Sequence, residues 1–379
     1  MTVIQTLAAV SKTSKRTEKE KLISECSDKN LLKQIVLYTH QPWFDYGIKA
    51  FKKVDVDNEQ TVDYTPMFDL FDKLIKRDLS GNAAKQACQD MYSSLDRDSA
   101  QLFVNILTHN LKCGVGPETF NKVLGECVYV HPYRRCKSLS KKNLEKITLP
   151  AFSQVKEDGA YNDVIVTDSI KIMSRNGLTC DYRLPNNLMD LIQTHAKDYV
   201  LMGEARVWSE DRTRLLPREE GNGVLSSDNP DTSRICMIFW DCLPVDEFNA
   251  TTVSSQTDRQ RFDKLIEIVN LINHTPNDQI RVVETRVVNT VDDIIKHFRE
   301  SLERGEEGTV VKNFNGHWSH GDSPDCVKIK IVFDCDLIID NSIEGTGKNQ
   351  GRLGAWVLRT ADNKLQVNVG IGFSDAHRS

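Results

Sequence analysis

Three features are missing from this sequence, and each absence argues against a class of protein. None of the ten cysteines belongs to a Cys-x-x-Cys pair, so we expect neither a zinc ribbon nor a thioredoxin-like motif. The longest uninterrupted apolar run, Ile235–Trp240, has six residues, whereas a membrane-spanning helix needs about 20. The first residues lack the basic segment and long apolar core of a signal peptide. We therefore expect a cytoplasmic protein with reduced thiols and no membrane association.

Charge is distributed unevenly along the 379 residues. Residues 1–150 contain 23 Lys and Arg against 18 Asp and Glu, and the remaining residues contain 26 against 36. The basic excess is highest in residues 133–146, which include six Lys and Arg. Such a run binds polyanions in some proteins and is only solvated surface in most.

The distribution of apolar residues predicts three regions. Residues 1–137 show helical spacing, with Asp28 and Pro66 as helix start signals, and predict an all-α domain. Residues 138–150 are basic, lack apolar periodicity and end in proline, which is typical of a linker. Strand and helix patterns follow over 151–332 and predict an α+β domain. Residues 333–379 are all-β, with strands predicted at 336–342, 355–360 and 365–369.

Lys156 is the first candidate for chemistry. It follows a predicted strand in the run Val155-Lys156-Glu157-Asp158-Gly159. A lysine in such a turn can serve as a nucleophile once its ammonium loses a proton. The pattern is short and common by chance, so an ordinary surface turn is the alternative.

Further polar residues follow in order near the ends of predicted strands. Arg175 and Glu204 come first, and a guanidinium in a turn can bind phosphate with two hydrogen bonds. Glu307 precedes a strand. Lys328 and Lys330 alternate on another strand, so both ammonium groups project from one face. Two lysines on one inner face favour a bound anion such as phosphate.

Taken in order, these motifs resemble the nucleotidyltransferase motifs of ATP-dependent DNA ligases, in a superfamily that also contains RNA ligases and mRNA capping enzymes. The similarity is greatest to the T-even bacteriophage type and covers the chain from about residue 70 to the end. It includes residues 79–84 and 111–116 of the helical region, and 307–313 and 316–318 downstream. The resemblance implies a helical DNA-binding domain (1–137), an α+β nucleotidyltransferase (ATP-grasp-like) adenylation domain (151–332) and an incomplete OB-fold domain (333–379).

The resemblance also implies a role for each matching residue. Lys156 would attack the α-phosphorus of ATP and carry AMP as a covalent adduct. Glu204 and Glu307 would hold Mg²⁺. The nucleotide would be contacted by Gln154, Val155, Tyr161, Arg175, Glu204, Trp240, Lys328 and Lys330. Contacts with the DNA backbone are expected from Lys112, Gly114, Gly116, Lys348 and Arg352.

Two positions depart from the family pattern. Tyr161 stands where the family usually has arginine, and tyrosine offers neither a positive charge nor a two-pronged hydrogen bond. Met202 replaces the aspartate of the family's Asp-Gly-Glu. Trp240 is open to two interpretations, because a tryptophan on an apolar strand is either core or a stacking surface for adenine. Phe239 is the second choice for stacking.

We therefore expect a monomeric ATP-dependent DNA ligase that seals nicks in duplex DNA through lysyl-AMP and DNA-adenylate intermediates. The alternatives are an RNA ligase or a GTP-dependent capping enzyme, which share the lysine motif, and a nick-binding protein with impaired turnover, suggested by Tyr161 and by the short C-terminal region. The predicted helical domain argues against the first two.

Overall fold

Two compact units make up the chain. The computed structural model describes residues 1–59, 63–250, 253–331, 335–345, 349–373 and 375–378. One unit is His131–Phe333, and the other comprises Met1–Val130 with Asp334–Ser379. Within the described ranges, no helix is long and apolar enough to cross a membrane.

Helices are the regular elements of the described part of Met1–Val130. They are α1 (Val3–Lys12), α2 (Arg16–Ser24), α3 (Lys29–His40), α4 (Thr65–Ile75), α5 (Gly81–Ser94), α6 (Arg97–Leu107) and α7 (Pro117–Leu124). As predicted, Asp28 begins a helix: its side chain accepts a hydrogen bond from the Leu31 N–H at 2.8 Å. The rings of Phe71 and Phe103 stack at 5.3 Å between centroids in the core, where both are fully buried. Apolar faces of α4 and α6 therefore meet, as their helical spacing requires.

Two five-stranded sheets form the unit His131–Phe333. Its strands are β1 (Arg134–Ser138), β2 (Ala151–Val155), β3 (Ala160–Val166), β4 (Ile170–Ser174), β5 (Tyr199–Val207), β6 (Ile235–Pro244), β7 (Ile280–Val282), β8 (Thr285–Val288), β9 (Gly308–Asn313) and β10 (Gly321–Lys330). One sheet has the order β1-β10-β9-β2-β8 and the other β4-β3-β5-β6-β7. The helices are α8 (Lys141–Leu144), α9 (Asn186–His195), α10 (Arg218–Leu225), α11 (Val245–Asn249), α12 (Asp258–Ile272) and α13 (Val291–Glu303).

The start of this unit differs from the boundary and linker predicted from sequence. Arg134–Ser138 pairs in parallel with β10, and α8 follows within the predicted linker. The first part of the basic run, Arg134–Ser138, is thus a strand of the sheet, and carboxylates of the same unit pair with its charges. Arg135 and Lys137 both pair with Asp322, at 3.0 and 2.7 Å.

The C-terminal region contains a three-stranded antiparallel sheet in its described residues. Its strands are β11 (Ile338–Glu344), β12 (Leu353–Arg359) and β13 (Gln366–Val369), close to the three predicted strands. An OB-fold has five strands, so that assignment remains a prediction. Arg352, a predicted DNA contact, is exposed directly before β12, and Lys348 lies outside the described residues.

Candidate active site

A cavity of about 1010 Å³ lies in the unit His131–Phe333 and is lined by residues of both sheets. The predicted nucleotide and metal contacts all line it: Gln154, Val155, Lys156, Tyr161, Arg175, Glu204, Trp240, Glu307, Lys328 and Lys330. They come from five strands and from the loops that follow β2 and β4 or precede β9. The topology therefore collects in one place side chains that are distant in sequence.

Lys156 follows β2 directly, and its backbone and side chain have separate partners. Its N–H donates to the Gly308 carbonyl at 2.9 Å, and its ammonium forms an ion pair with Glu307. The other Glu307 oxygen lies 3.8 Å from the Lys330 Nζ. Gly308 has a φ of 146°, and a β-carbon there would overlap the Ile329 carbonyl on β10. Glycine is therefore required for the close approach that puts Glu307 beside Lys156.

Glu204 lies on β5, mostly buried, and faces the same cavity. Its carboxylate accepts a hydrogen bond from the Gly159 N–H. Burial raises the pKa of Glu204 to about 7, although this hydrogen bond and the Lys156 ammonium act in the opposite direction. Gly159 approaches β5 so closely that a β-carbon would overlap the Ala205 carbonyl. The charged form of Glu204 would therefore be favoured by a cation bound in the cavity.

Glu204 and Glu307 are the carboxylates predicted to hold Mg²⁺. The described residues contain no group of three or more His, Cys, Asp or Glu side chains placed to hold a metal ion. Mg²⁺ usually binds through one or two carboxylates together with substrate phosphates and water. Two carboxylates beside Lys156 therefore fit a metal ion that is bound jointly with nucleotide phosphates.

Trp240 lies on β6 where the pairing with β5 shifts by one residue. Gly203 pairs with Phe239 and Met202 pairs with Asp241, so Trp240 is the extra residue of a β-bulge. Trp240 lines the cavity, whereas Phe239 is fully buried. The bulge explains how a strand of core residues presents a tryptophan to the cavity.

Tyr161 belongs to a buried hydrogen-bonded chain. Its hydroxyl donates to one Asp163 oxygen at 2.8 Å, and the other Asp163 oxygen lies 2.7 Å from the His131 Nε2. Burial, reinforced by the Asp163 carboxylate, holds the pKa of the Tyr161 hydroxyl well above its usual range. The Tyr161 ring lies 5.7 Å from the Trp240 ring and 5.0 Å from the Tyr133 ring. Tyr161 is therefore part of a cluster of aromatic side chains with Tyr133 and Trp240 at the cavity.

Arg175 belongs to the turn that follows β4. Its guanidinium carbon lies 4.4 Å from the centre of the Tyr133 ring. The residue is exposed and lines the cavity. The cation–π contact therefore keeps a positive charge at the edge of the cavity.

Three lysines on β9 and β10 give their side of the cavity a positive charge. Lys328 and Lys330 project from one face of β10, as their alternation predicted. Lys312 on β9 also lines the cavity, and its Nζ lies 3.5 Å from the Trp240 carbonyl. The sequence analysis did not select Lys312 as a site residue. Its position two residues after Val310 on one strand places both side chains on the same face, which was the available indication.

A buried ionic network behind Trp240 was also missed. Arg261 donates to the two Asp241 oxygens at 2.8 and 3.1 Å and contacts Asp258. Asp258 also accepts two hydrogen bonds from Arg134, at 2.6 and 3.0 Å. All four side chains are at most 7% exposed. Because Asp241 directly follows Trp240, the network holds the end of the bulge.

Other residues predicted to contact DNA lie in the loop between α6 and α7. Lys112 and Gly114 have positive φ angles of 54° and 69°, and both are exposed. The Lys19 amine donates to the carbonyls of Cys113 and Gly114, each at 3.0 Å. Gly116 precedes the first residue of α7. The buried Lys19 amine therefore fixes the shape of this loop.

Comparison with known proteins gives consistent matches. The family model described as ATP dependent DNA ligase domain matches residues 134–330, more than half of the chain. DNA ligases of Enterobacteria phages T6 and T4 are each 24% identical over 421 aligned residues, which cover 98% of this chain and 84% of the relative. A solved structure named Pmar-Lig_PreS3 covers 100% of this chain and 90% of its own, with a TM-score of 0.80 and 20% identity. That structural likeness concerns the fold alone.

Proposed function

Because this chain belongs to the family of ATP-dependent DNA ligases, we propose that Lys156 is the residue that carries AMP during the reaction. The observation that supports this role is the cavity that places the Lys156 amine beside Glu307, with Glu204 and three further lysines around it. Phosphoryl transfer needs mainly positioning and charge neutralisation, and these side chains are suited to both. An RNA ligase, a GTP-dependent capping enzyme or a nick-binding protein without turnover is not favoured.

Adenylation of the enzyme is the first step in this proposal. The deprotonated Lys156 Nζ attacks the α-phosphorus of ATP, a P–N bond forms, and pyrophosphate leaves with the electron pair of the broken P–O bond. Glu307 contacts the amine and is placed to take its proton. Lys328 and Lys330 neutralise phosphate charge, while Trp240 stacks on adenine and Gln154 contacts its edge.

Glu204 and Glu307 would hold Mg²⁺, which would neutralise further charge on the phosphates. Glu307 pairs with both Lys156 and Lys330. A cation bound to Glu307 would therefore also weaken the ion pair between Glu307 and the Lys156 amine. Glu204, with its raised pKa, would be ionised by the same cation.

The second and third steps use nicked duplex DNA. The 5′-phosphate oxygen of the nick attacks the phosphorus of the lysine-bound AMP, and the P–N bond breaks to release Lys156. The 3′-hydroxyl then attacks the 5′-phosphorus and displaces AMP. We propose that Lys112 and the loop up to Gly116 contact the DNA backbone, and that the chain acts as a cytoplasmic monomer. Its ten free cysteine thiols fit a reducing compartment.

The test is label transfer from α-labelled nucleotide to enzyme and then to nucleic acid. We expect ATP to label the chain, GTP not to, and nicked DNA to accept the label and be sealed. Labelling by GTP, or transfer to nicked RNA in preference to DNA, would contradict the proposal.

A further inference from the structure

Arg206 contacts the sequence neighbours of both members of the Lys156–Glu307 ion pair. Its Nη1 lies 2.8 Å from the Oε2 of Glu157, which follows Lys156, and 3.7 Å from the Oε2 of Glu306, which precedes Glu307. The side chains of Arg206 and Glu157 are 10% and 9% exposed. One buried guanidinium thus joins the turn after β2 to the segment before β9.

The charges of this cluster make Arg206 necessary to its geometry. Burial and the nearby Glu306 carboxylate together raise the pKa of Glu157 to about 7, against the opposing charges of Arg206 and Arg281. Without the guanidinium, Glu157 and Glu306 would lose their shared partner, and the buried Glu157 would either repel Glu306 or take up a proton. In both cases the link between the two segments that carry Lys156 and Glu307 would be lost.

Arg206 also shares a strand with a candidate metal ligand. It lies two residues after Glu204 on β5, so both side chains project from the same face. Its Cδ atom packs against Gly159, whose N–H donates to Glu204. The same arginine therefore contacts the Lys156-Glu157 turn, Gly159 and the Glu306-Glu307 segment.

We propose that Arg206 is a positioning residue for adenylation: it clamps the Lys156-Glu157 turn to the Glu306-Glu307 segment and so holds the nucleophile beside Glu307. The inference rests on the proposed role of Lys156. It assigns to Arg206 no contact with nucleotide or DNA, since Arg206 acts through its two carboxylate partners.

The test compares the single-turnover rate of AMP transfer at saturating ATP, the ATP concentration for half-saturation, and the sealing rate of a pre-adenylated nick. Arg206→Met is expected to slow adenylation about tenfold or more, because a small displacement of a nucleophile is costly. Half-saturation should stay within about twofold, because Arg206 touches no nucleotide. Sealing should fall less than adenylation, because Lys156 makes no attack in that step.

Conservative and compensating variants show whether slower adenylation comes from loss of the clamp or from a general loss of stability. Arg206→Lys keeps the charge and should recover part of the rate. Glu157→Gln with Arg206→Met leaves no unpaired carboxylate on Glu157 and should adenylate faster than Arg206→Met alone. Arg212→Met is the matched control, because Arg212 pairs with Asp278 at 2.6 Å and does not line the cavity. It should adenylate like the unmodified chain.

Three results would overturn the proposal: wild-type adenylation by Arg206→Met, a change confined to half-saturation, or equal losses of adenylation and sealing. If Arg206→Met does not fold, Glu157→Met removes the hydrogen-bond acceptor at the other end of the clamp, and an unchanged adenylation rate would refute the proposal. Peptide mapping of the AMP adduct on the unmodified chain keeps the two hypotheses apart. An adduct on another residue rejects the role of Lys156, whereas an adduct on Lys156 leaves the rates to decide about Arg206.

Discussion

Replacing Glu204 by glutamine should stabilise the protein in a way that depends on pH. The pKa of Glu204 is about 7, against an ordinary value of 4.5, chiefly because the carboxyl group is buried. At about 1.36 kcal/mol per pKa unit, the charged carboxylate costs the folded state about 3 kcal/mol at high pH. Glutamine has nearly the same shape and can still accept the Gly159 hydrogen bond, so it removes the charge with little other change.

The direction follows from the raised pKa. Below pH 4.5 the carboxyl is protonated in both folded and unfolded chains, so its charge costs nothing. Between pH 4.5 and 7 the unfolded chain releases this proton while the folded chain retains it, so stability is lost across that window; above pH 7 both are ionised and the loss stays constant. Glu204→Gln should therefore gain about 1 kcal/mol at pH 5.5 and about 3 kcal/mol at pH 8.5.

Urea unfolding of both chains without nucleotide or metal, at pH 5.5 and 8.5, measures this difference. Glu300→Gln is the control, because Arg286 lowers the pKa of Glu300 and its loss should bring no gain at high pH. A gain for Glu204→Gln that is equal at the two pH values, or absent at both, would refute the reasoning.

Three further substitutions test other parts of the site. Trp240→Ala should raise the ATP concentration for half-saturation about tenfold, because stacking on a base is worth about 1–3 kcal/mol, and Trp240→Phe should recover most of it; equal half-saturation for all three chains would exclude stacking. Tyr161→Arg should slow adenylation about fivefold, because it breaks the hydrogen bond to Asp163 and the ring contact with Trp240, together worth about 1 kcal/mol; faster adenylation would contradict this. Lys112→Ala should reduce the salt dependence of nicked-DNA binding by about one unit of slope, whereas Lys85→Ala on α5 should not, and an unchanged slope for Lys112→Ala would remove it from the DNA contacts.

Local patterns predicted many elements well. The apolar pattern over 199–207 predicts a strand and that over 258–272 predicts a helix, and the structure has β5 (Tyr199–Val207) and α12 (Asp258–Ile272) at these bounds. The helix has a clear start at Thr257, whose side chain accepts from the Gln260 N–H, and its apolar residues fall on one face. Such signals lie within a few residues, so a single sequence contains them.

Other features depend on contacts between distant residues and escaped prediction. Arg134–Ser138 has almost no apolar side chains. It forms a strand by pairing in parallel with β10, and Arg135 in this strand forms an ion pair with Asp322. The polar stretch 208–233, with Gly221 and Gly223, predicts a loop, yet its residues 218–225 form α10. In such cases tertiary contacts outweigh local preference.

The site was predictable as a set of residues but not as a geometry. Order along the chain and resemblance to a family selected Lys156 and Glu307, but nothing in the residues alone puts them in contact across 151 positions. The bulge at Trp240 and the clamp at Arg206 likewise require pairing between strands.

The most direct measurement of the central proposal is the position of the AMP adduct. The protein is incubated with ATP and Mg²⁺ and digested under conditions that preserve a phosphoramidate, and the peptides are mapped by mass spectrometry. The expected result is AMP on Lys156, no adduct in Lys156→Ala, and a normal adduct in Lys171→Arg, a control at an exposed lysine on β4. AMP on another residue, or undiminished adduct in Lys156→Ala, would contradict the assignment.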